Sequence, residues 1–505
     1  MNGKKIKNKT EIWRMPSLVY TAILLSAYIL AFPLRGYTVF KDFKFLFFAV
    51  LASAFVASEY LLRLEMRLVN AKSRAPAMRI NAFEAFAAAY ILFTVVSALL
   101  SEFDGTFWGN ERCDGVFTIS LYAFCCVILA RRLLPKKWLA AVFGIVMCVF
   151  CTIGLLQLFG LNPLGLFPAG YNFYDGGVYY SGQFWSTAGN ADISAAILSL
   201  AAGASAAILV KCGSKHTGLF FIPFAFTVFS IAELNVSAAV VALFAGLALM
   251  LPALVFCGTE LRRALFTYGA AAVAFALGKL LIIGEGKLSA NAGAVWIILL
   301  CAGFALITAG IVFGTKLDNM RISRNKLRVI LLCIIVSAMI VGIAFVYFAP
   351  NLGSEPLSQA HDLLHGNVSD KAGSGRIFIW KQVWQSILEK PFFGGGPDTL
   401  AFRGLDGFSR YNEVIGKTVS TSIDAAHNEY LNIWVNQGVF ALAAYIGLLT
   451  VSAAKWIRNP QDTARSIGGA AALFYVIQAF FGISSCVSAP LFWLALALVN
   501  TRSKE

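Results

Sequence analysis

The chain has 505 residues, of which 59% are hydrophobic and only 13% are charged. Soluble globular domains carry about 45–50% apolar and about 25% charged residues, so this composition excludes a soluble enzyme and predicts a membrane protein. The formal charge of +15 at pH 7 is of the kind that nucleic-acid-binding proteins carry, but the positions of the basic residues give it another meaning.

Apolar segments long enough to cross a bilayer recur along the whole chain. A helix needs about 17–25 residues to span the hydrocarbon core. The pattern predicts an all-α polytopic integral membrane protein with about 12–14 transmembrane helices. The candidate spans are 17–33, 43–62, 82–101, 116–133, 138–160, 190–210, 217–232, 236–257, 265–284, 289–314, 327–350, 429–454, 466–481 and 484–500.

The basic residues predict the orientation of these spans. Most of the 41 Lys and Arg residues lie in alternate connections, such as 63–79, 131–137 and 316–328. Because Lys and Arg concentrate in short cytoplasmic loops, we expect a multi-pass protein of the cytoplasmic (inner) membrane with both termini in the cytoplasm. The net charge is then a topology signal, and we expect no nucleic-acid partner.

Two outer segments are longer than the other connections. The first, 161–189, has no Lys or Arg and is rich in aromatic residues. It indicates either a surface that receives sugar rings or a lipid head group, or an ordinary interfacial aromatic belt. Its aromatic residues are Phe167, Tyr171, Phe173, Tyr174, Tyr179, Tyr180, Phe184 and Trp185.

The second segment, 351–428, is the one large hydrophilic part of the chain, and loops of this kind often carry function. We therefore expect three parts: an N-terminal transmembrane bundle (1–350), an extracytoplasmic loop (351–428) and C-terminal transmembrane helices (429–505).

Within this loop an amphipathic helix on the membrane surface is predicted to begin near Arg376. Ser374 is a candidate cap, and Pro391 is a candidate end. The apolar residues at helical spacing are Ile377, Trp380, Trp384, Ile387 and Leu388.

Histidines in the outer loop are candidates for chemistry. His427 stands where the aqueous loop meets the next span, and an imidazole takes up a proton near neutral pH. The alternative is a hydrogen-bonded interfacial anchor. His361 and His365 are four residues apart, as helical metal ligands are, but no third ligand follows, so we interpret them as solvated loop residues.

Around these residues the sequence resembles the O-antigen ligase family, which includes O-antigen ligases and related polymerases. The similarity lies in Gly375-Arg376 with Trp380, in Pro391-Phe392-Phe393-Gly394-Gly395-Gly396, and in His427-Asn428-Glu429-Tyr430-Leu431. These blocks resemble the family's Arg-x-x-x-Trp, Pro-x-x-Gly-x-Gly and His-Asn-x-Tyr-Leu patterns in order and spacing.

Two upstream stretches resemble the family as well. Residues 108–115, with Arg112, resemble its outer Arg-x-x-Gly loop, and residues 181–192, with Asn190 and Asp192, resemble its Gly-Asn segment at the head of a span. In one place the chain departs from the family pattern, because Ala238 stands where many members carry an arginine after a serine.

The resemblance implies a GT-C-like fold and a glycosyltransferase. It implies transfer of a glycan from an undecaprenyl-diphosphate carrier to an acceptor hydroxyl on the outer face of the membrane. His427 would be the general base and Arg376 would bind the diphosphate. We expect a metal-independent, inverting reaction that needs no cofactor. The expected substrate-binding residues are Arg112, Asn190, Asp192, Trp380, Gly394, Gly396, Asn428 and Tyr430.

Three matters stay open at this stage. The acceptor hydroxyl belongs to a lipid, a glycan, a wall polymer or a protein, so ligase, polysaccharide polymerase and protein O-glycosyltransferase are alternatives. A transporter or flippase for a lipid-linked sugar is an alternative from another class. Asp192 and Glu233, near the outer ends of spans, either contact the sugar, orient His427 or serve as ordinary helix-end residues.

Overall fold

A computed structural model describes most of the chain as a bundle of α-helices with two short antiparallel β-hairpins. The described residues are 14–34, 36, 39–69, 80–166, 183–284, 287–291, 293–321, 323–349, 355–370, 373, 375–412 and 417–501.

The helices follow one another through short connections. In chain order they are α1 (Met15–Ile23, continued by a π-helical segment over Leu24–Tyr28), α2 (Phe40–Val69), α3 (Ala82–Leu99), α4 (Val116–Arg132), α5 (Lys137–Leu158), α6 (Ala191–Lys211), α7 (Phe221–Leu234), α8 (Ser237–Leu254), α9 (Gly258–Leu280), α10 (Ala294–Val312), α11 (Gly314–Asp318), α12 (Arg324–Phe348), α13 (Glu355–Leu364), α14 (Arg376–Glu389), α15 (Glu429–Arg458), α16 (Thr463–Gln478) and α17 (Ala489–Asn500).

Short elements complete the fold. One hairpin pairs β1 (Leu281–Gly284) with β2 (Lys287–Ala290), and the other pairs β3 (Phe408–Asn412) with β4 (Lys417–Thr421). Two 3₁₀ turns cover Thr217–Phe220 and Leu400–Phe402.

Hydropathy and helix length agree along the chain. Each of the fourteen predicted spans overlaps a helix, and nine helices among the described residues are long and apolar enough to cross a membrane. The prediction of an all-α polytopic membrane protein is therefore confirmed.

Helix α6 lies at the centre of the bundle because its side chains are small. Its most apolar window is entirely buried, and α7, α8 and α16 pack against it. A Cβ added at Gly203 would lie 2.5 Å from the carbonyl oxygen of Ala470 on α16, so a larger residue would separate the two helices. Close approach through Gly, Ala and Ser is typical of membrane helices, and here it fixes the position of Asp192 at the start of α6.

The two ends of the bundle differ in charge. At one end, here called the basic end, arginines and lysines of the connections pair with carboxylates of neighbouring helices. Arg131 binds Glu84, Arg132 lies 3.6 Å from Glu59, and the ammonium of Lys211 lies 2.5 Å from Glu260. The opposite end, here called the site end, carries the 101–115 connection, the start of α6 and the long 355–428 segment.

Several predicted features fall outside the described residues. Ser374, the candidate cap of α14, is one, and the aromatic residues between 167 and 182 are others. Phe184 and Trp185 are described, and both are buried within the protein, so these two side chains offer no exposed platform for a sugar.

Candidate active site

Asp192 lies between the two residues predicted to carry the chemistry. Asn190 caps α6, because its Oδ1 accepts hydrogen bonds from the backbone N–H groups of Asp192 and Ile193 at 2.8 and 3.3 Å. One carboxylate oxygen of Asp192 is 3.8 Å from Nη2 of Arg376, and the other is 3.8 Å from Nδ1 of His427. Three segments that are far apart in the sequence therefore meet at one carboxylate.

Arg376 is held by backbone carbonyl groups rather than by a close carboxylate. It opens α14 after Gly375, whose φ of 85° is left-handed and favours glycine. Its Nε donates to the carbonyl oxygen of Phe481 at 3.2 Å, and its Nη1 donates to that of Gly373 at 3.0 Å. Because carbonyl groups carry no net charge, the guanidinium keeps its attraction for an anion.

The backbone on either side of His427 is fixed by the fold. His427 has a left-handed φ of 47°, which is uncommon for a residue other than glycine. Trp380 donates from Nε1 to the carbonyl oxygen of Ala426, and Asn428 caps α15 by accepting from the N–H groups of Tyr430 and Leu431. The imidazole is thereby held at the site with 27% of its side-chain surface exposed.

The glycine-rich turn after α14 pairs with a break in α15. Gly438 departs from helical geometry with φ 86° and ψ 174°, so the helical hydrogen-bond ladder opens there. The N–H of Val439 bonds instead to the carbonyl of Pro391, while the N–H groups of Gly395 and Gly396 bond to the carbonyls of Val435 and Asn436.

Gly394 takes part in this contact through its lack of a side chain. A Cβ added there would lie 2.4 Å from the backbone of Asn436. The predicted substrate-binding glycines Gly394 and Gly396 therefore have a clear packing reason to be glycine.

Arg112 approaches the site from the 101–115 connection. Its Nη2 is 2.6 Å from Oδ2 of Asp424, three residues before His427. Oδ2 of Asp398, a residue with a left-handed φ of 56°, accepts from the N–H groups of Asn110 and Arg112 at 2.6 and 2.9 Å.

Asp398 thus fastens the Arg112 connection to the glycine-rich turn. Sequence reasoning missed this residue, and its position directly after Gly396-Pro397 was the one available signal.

Burial and charge act together on His427. Burial lowers the pKa of the imidazole below its ordinary value, and the neighbouring Arg376 and Arg112 lower it further, while Asp192 and Asp424 oppose the shift. A depressed pKa keeps the ring neutral near pH 7, which is the form that accepts a proton.

A small polar cavity adjoins Arg112. It has about 30 Å³ of room, enough for about two water molecules, and Asp114, Asp398, Glu429 and Gln437 line it together with other side chains. Burial and the neighbouring Asp398 carboxylate raise the pKa of Asp114 to about 7. The cavity therefore brings further ionisable groups close to the site.

Two other predicted residues have partners inside the protein. Tyr430 donates its hydroxyl hydrogen to the carbonyl of Val476 at 2.8 Å, and Trp380 stacks on Phe481 with ring centroids 6.3 Å apart. Their contact with a substrate stays a prediction.

Helix α14 packs on the protein through a face that only partly coincides with the predicted apolar stripe. The helix buries Ile379, Val383, Ser386 and Ile387 against a small cluster that includes Val435, and it leaves Trp384 and Leu388 exposed. The difference arises because α14 packs on α15 and its preceding loop, so tertiary contacts select the buried face. Its position on the membrane surface stays a prediction.

The stretch around Ala238, which departs from the family pattern, has a lysine near it in the structure. The ammonium of Lys279, near the end of α9, lies 2.5 Å from Oδ1 of Asn235, three residues before Ala238. Glu233 accepts from the N–H of Ile283 at 3.0 Å, so the first hairpin rather than His427 is its neighbour.

The histidine pair of the outer loop does not form a metal cluster. The His361 and His365 rings stack with centroids 4.2 Å apart, and Nδ1 of His365 donates to the carbonyl of His361 at 2.9 Å. Within the described ranges, no group of three or more His, Cys, Asp and Glu residues is placed to hold a metal ion. Metal independence stays a prediction.

Comparison with known families agrees with this site. Residues 290–446 match the family model described as O-antigen ligase. The matched range contains Arg376, the glycine-rich turn and His427, whereas Arg112 and Asp192 lie outside it. No curated protein matches the chain. The match supports a function of the O-antigen ligase and polymerase kind in a multi-pass membrane protein. The predicted resemblance to the O-antigen ligase family is therefore confirmed over residues 290–446.

Proposed function

We propose that this protein transfers a glycan from an undecaprenyl-diphosphate carrier to an acceptor hydroxyl on the outer face of the cytoplasmic membrane. The observation that carries the proposal is the meeting of Arg376 and His427 on opposite oxygens of Asp192, each at 3.8 Å. An anion-binding group and a neutral base, side by side at the site end of the bundle, are what such a transfer requires.

The reaction needs one bond to form and one to break. The acceptor oxygen attacks the anomeric carbon of the glycan while the bond from that carbon to the diphosphate oxygen breaks, and the diphosphate leaves with the electron pair. His427 takes the proton of the acceptor hydroxyl and later returns it to solvent. Attack from the side opposite the leaving group inverts the anomeric configuration.

Arg376 stabilises the charge that develops on the diphosphate. A guanidinium forms two parallel hydrogen bonds with phosphate oxygens, which suits a leaving group better than the point charge of an ammonium. Arg112 supplies a second positive charge near the same site. We expect these two side chains to bind the donor more tightly as the negative charge grows in the transition state.

Asp192 acts as a positioning residue for His427. Its carboxylate lies nearer Nδ1 of the imidazole, so it favours a proton on that nitrogen and leaves Nε2 free to accept the proton of the acceptor. It also stabilises the imidazolium that forms during transfer. The arrangement requires the diphosphate to share Arg376 with this carboxylate.

The acceptor class is left open by the residues of the site. A lipid, a growing glycan, a wall polymer and a protein all present hydroxyl groups to such a base. The O-antigen ligase match is compatible with each of these, so ligase, polymerase and protein O-glycosyltransferase are variants of one proposal. The acceptors are therefore compared in the experiment.

The test uses the purified full-length protein in detergent micelles with a synthetic undecaprenyl-diphosphate glycan and a panel of acceptors. Mass spectrometry of the products should show the glycan on an acceptor hydroxyl. His427→Ala should lower the transfer rate by about 10²–10⁴-fold, the usual contribution of a general base. A flippase needs two compartments, so a wild-type protein that moves the donor across proteoliposomes but transfers nothing in detergent would support the transporter alternative.

A matched variant separates chemistry from folding. His365→Ala removes an imidazole from the same outer segment, where His365 stacks on His361 and Tyr347. It should transfer at the wild-type rate, and both variants should keep the wild-type unfolding temperature. Normal transfer by His427→Ala would remove the catalytic assignment.

A further inference from the structure

Arg376 and Asp192 carry opposite charges, yet they do not form a close ion pair. Their nearest nitrogen and oxygen atoms are 3.8 Å apart, whereas those of Arg112 and Asp424 are 2.6 Å apart. A guanidinium and a carboxylate attract each other and form charge-assisted hydrogen bonds at about 2.7–2.9 Å where nothing opposes their approach. The longer distance at the site therefore requires other contacts that fix the guanidinium of Arg376.

Two backbone carbonyl groups supply these contacts. Phe481 accepts from Nε of Arg376 at 3.2 Å and Gly373 accepts from Nη1 at 3.0 Å, while Nη2 is the nitrogen nearest to Asp192. Within the described part of the chain, these contacts use two of the five N–H donors of the guanidinium, and the other donors can bind phosphate oxygens. The positions of the two carbonyl groups therefore decide how much of the guanidinium is available to an anion.

The carbonyl group of Gly373 also contacts the start of α14. It accepts from the backbone N–H of Arg376 at 3.3 Å, in addition to the bond from Nη1. Gly373 has a left-handed φ of 62°, a conformation that favours glycine. The conformation of this one residue therefore fixes the backbone and the guanidinium of Arg376 together.

A glutamine of α13 fixes Gly373 in turn. The side-chain oxygen of Gln359 accepts from the backbone N–H of Gly373 at 3.0 Å, across 14 residues of the chain. The side chain must present its oxygen to this contact, because an N–H group donates and an amide nitrogen cannot accept. Since α13 packs on α12, the oxygen belongs to a helix that is separate from both α6 and α14. Gln359 can therefore oppose a movement of Arg376 towards α6.

Loss of the Gln359 oxygen would free the turn at Gly373 and let Arg376 approach Asp192. The attraction between guanidinium and carboxylate grows as their distance falls, so the two groups would close into an ion pair. A closed pair occupies N–H donors that a phosphate group needs. It also draws the Asp192 carboxylate away from Nδ1 of His427, which lies 3.8 Å from it. A diphosphate would then have to break this ion pair in order to bind.

We infer that Gln359 is a positioning residue that, through Gly373, keeps Arg376 apart from Asp192 and so makes the guanidinium available to a diphosphate. The inference rests on the proposed function, because it takes the ligand of Arg376 to be a lipid diphosphate. Gln359 lies outside the three blocks that carry the family resemblance, 375–380, 391–396 and 427–431. The resemblance therefore does not predict this role.

The test measures binding rather than turnover. The full-length protein in detergent micelles is titrated with farnesyl diphosphate, a short polyprenyl diphosphate, in an isothermal titration calorimeter. Gln359→Met keeps the length of the side chain and removes the oxygen acceptor. It should raise Kd about two- to tenfold, because one exposed hydrogen bond shifts the position of Arg376 by no more than its own net contribution. In the Asp192→Asn background the same substitution should change Kd by less than about twofold, because no carboxylate attracts the guanidinium there.

Two further variants separate this role from a purely structural one. Gln359→Glu keeps an oxygen acceptor and should lose less affinity than Gln359→Met. Gln385→Met, at an exposed glutamine of α14, is the matched control and should bind as the wild type does. An unchanged Kd for Gln359→Met, or an equal rise in the wild-type and Asp192→Asn backgrounds, would overturn the inference and leave the proposed function in place. If all variants bind as expected but the wild type transfers no glycan, the proposed function fails and the role of Gln359 stands.

Discussion

The protonation of His427 should set the pH range of glycan transfer. Burial and two guanidinium groups depress the pKa of its imidazole, so the protonated form becomes dominant only at a pH below the ordinary value of about 6.5. The neutral form is the base, so transfer should fall as the pH drops through this depressed pKa and stay constant above it.

The measurement is kcat/KM for the donor against pH for the wild-type protein, because this ratio reports the pKa values of the enzyme without bound donor. The acidic limb should have its midpoint below pH 6.5, and His427→Ala should show a low rate without that limb. A limb centred above pH 6.5 would contradict the assignment of His427 as the base.

The Asp192→Asn substitution should strengthen donor binding and slow the chemical step. Asp192→Asn removes a negative charge that competes with the diphosphate for Arg376, which the carbonyls of Phe481 and Gly373 still hold in place. We expect KM for the donor to fall. We also expect kcat to fall roughly tenfold, because the imidazolium loses its partner charge. The acidic limb should move to lower pH, since the carboxylate raises the pKa of His427.

An exposed carboxylate that does not act on the pKa of His427 provides the control for this variant. Asp370→Asn removes an exposed carboxylate that pairs with Lys381 on the same outer segment. It should leave kcat, KM and the pH profile unchanged. A rise in KM of Asp192→Asn together with an unshifted pH profile would indicate a purely structural role for Asp192.

At the scale of single elements, the break in α15 fixes the glycine-rich turn. Gly438→Ala places a Cβ 2.1 Å from the carbonyl oxygen of Phe392 and forces alanine into a left-handed conformation. This backbone conformation, with φ 86° and ψ 174°, is adopted essentially only by glycine and costs alanine roughly 1–3 kcal/mol, and the clash adds to it. We therefore expect a clear fall in the midpoint of thermal unfolding.

Gly218→Ala is the matched control for this substitution. A Cβ at Gly218 meets no atom within 4 Å, and the residue has no left-handed φ. Its unfolding midpoint should equal that of the wild type. If Gly438→Ala kept the wild-type unfolding midpoint, the close contact between the glycine-rich turn and α15 would not contribute to the stability of the protein.

The 101–115 connection depends on Asp398 for its conformation. Asp398→Ala removes the acceptor of three backbone N–H groups, those of Asn110, Arg112 and Asp114, and should release Arg112 from the site. We expect KM for the donor to rise severalfold, because without these hydrogen bonds Arg112 is less often in the position that binds the diphosphate.

Asp398→Asn should restore donor binding in large part. Asparagine keeps a side-chain oxygen and tolerates the left-handed conformation of this position. Steady-state kinetics of both variants test the idea. If Asp398→Ala bound the donor as well as the wild type, the position of Arg112 would not depend on Asp398.

For the whole molecule, the difference in charge between the ends predicts how the bundle crosses the membrane. Lys211, Arg131 and Arg262 mark the basic end, and we propose that this end faces the cytoplasm. Cys257 is exposed at that end, and Asp406 is exposed in the long segment at the site end.

A membrane-impermeant thiol reagent tests this orientation in intact cells. Asp406→Cys should be labelled directly, whereas Cys257 should react only after the membrane is opened. Labelling of Cys257 in intact cells would reverse the orientation and place His427 on the cytoplasmic side.

Hydropathy and local motifs determined much of this protein without any structure. Burial of apolar residues in lipid depends on composition over about twenty residues, so the sequence alone predicts the all-α polytopic class, and nine helices among the described residues are long and apolar enough to span a membrane. The Arg376, glycine-rich and His427 blocks are also local, and they carry the family resemblance.

Only the tertiary structure decided which side chains meet. Asp192 reaches Arg376 and His427, Asp398 binds the backbone of Arg112, and Lys279 approaches Asn235. Separation along the chain sets no distance in space, so no pattern in the sequence specifies such contacts. The packing of small residues in α6 and the break at Gly438 bring these groups together, because backbone approach and helix geometry decide where each helix end lies.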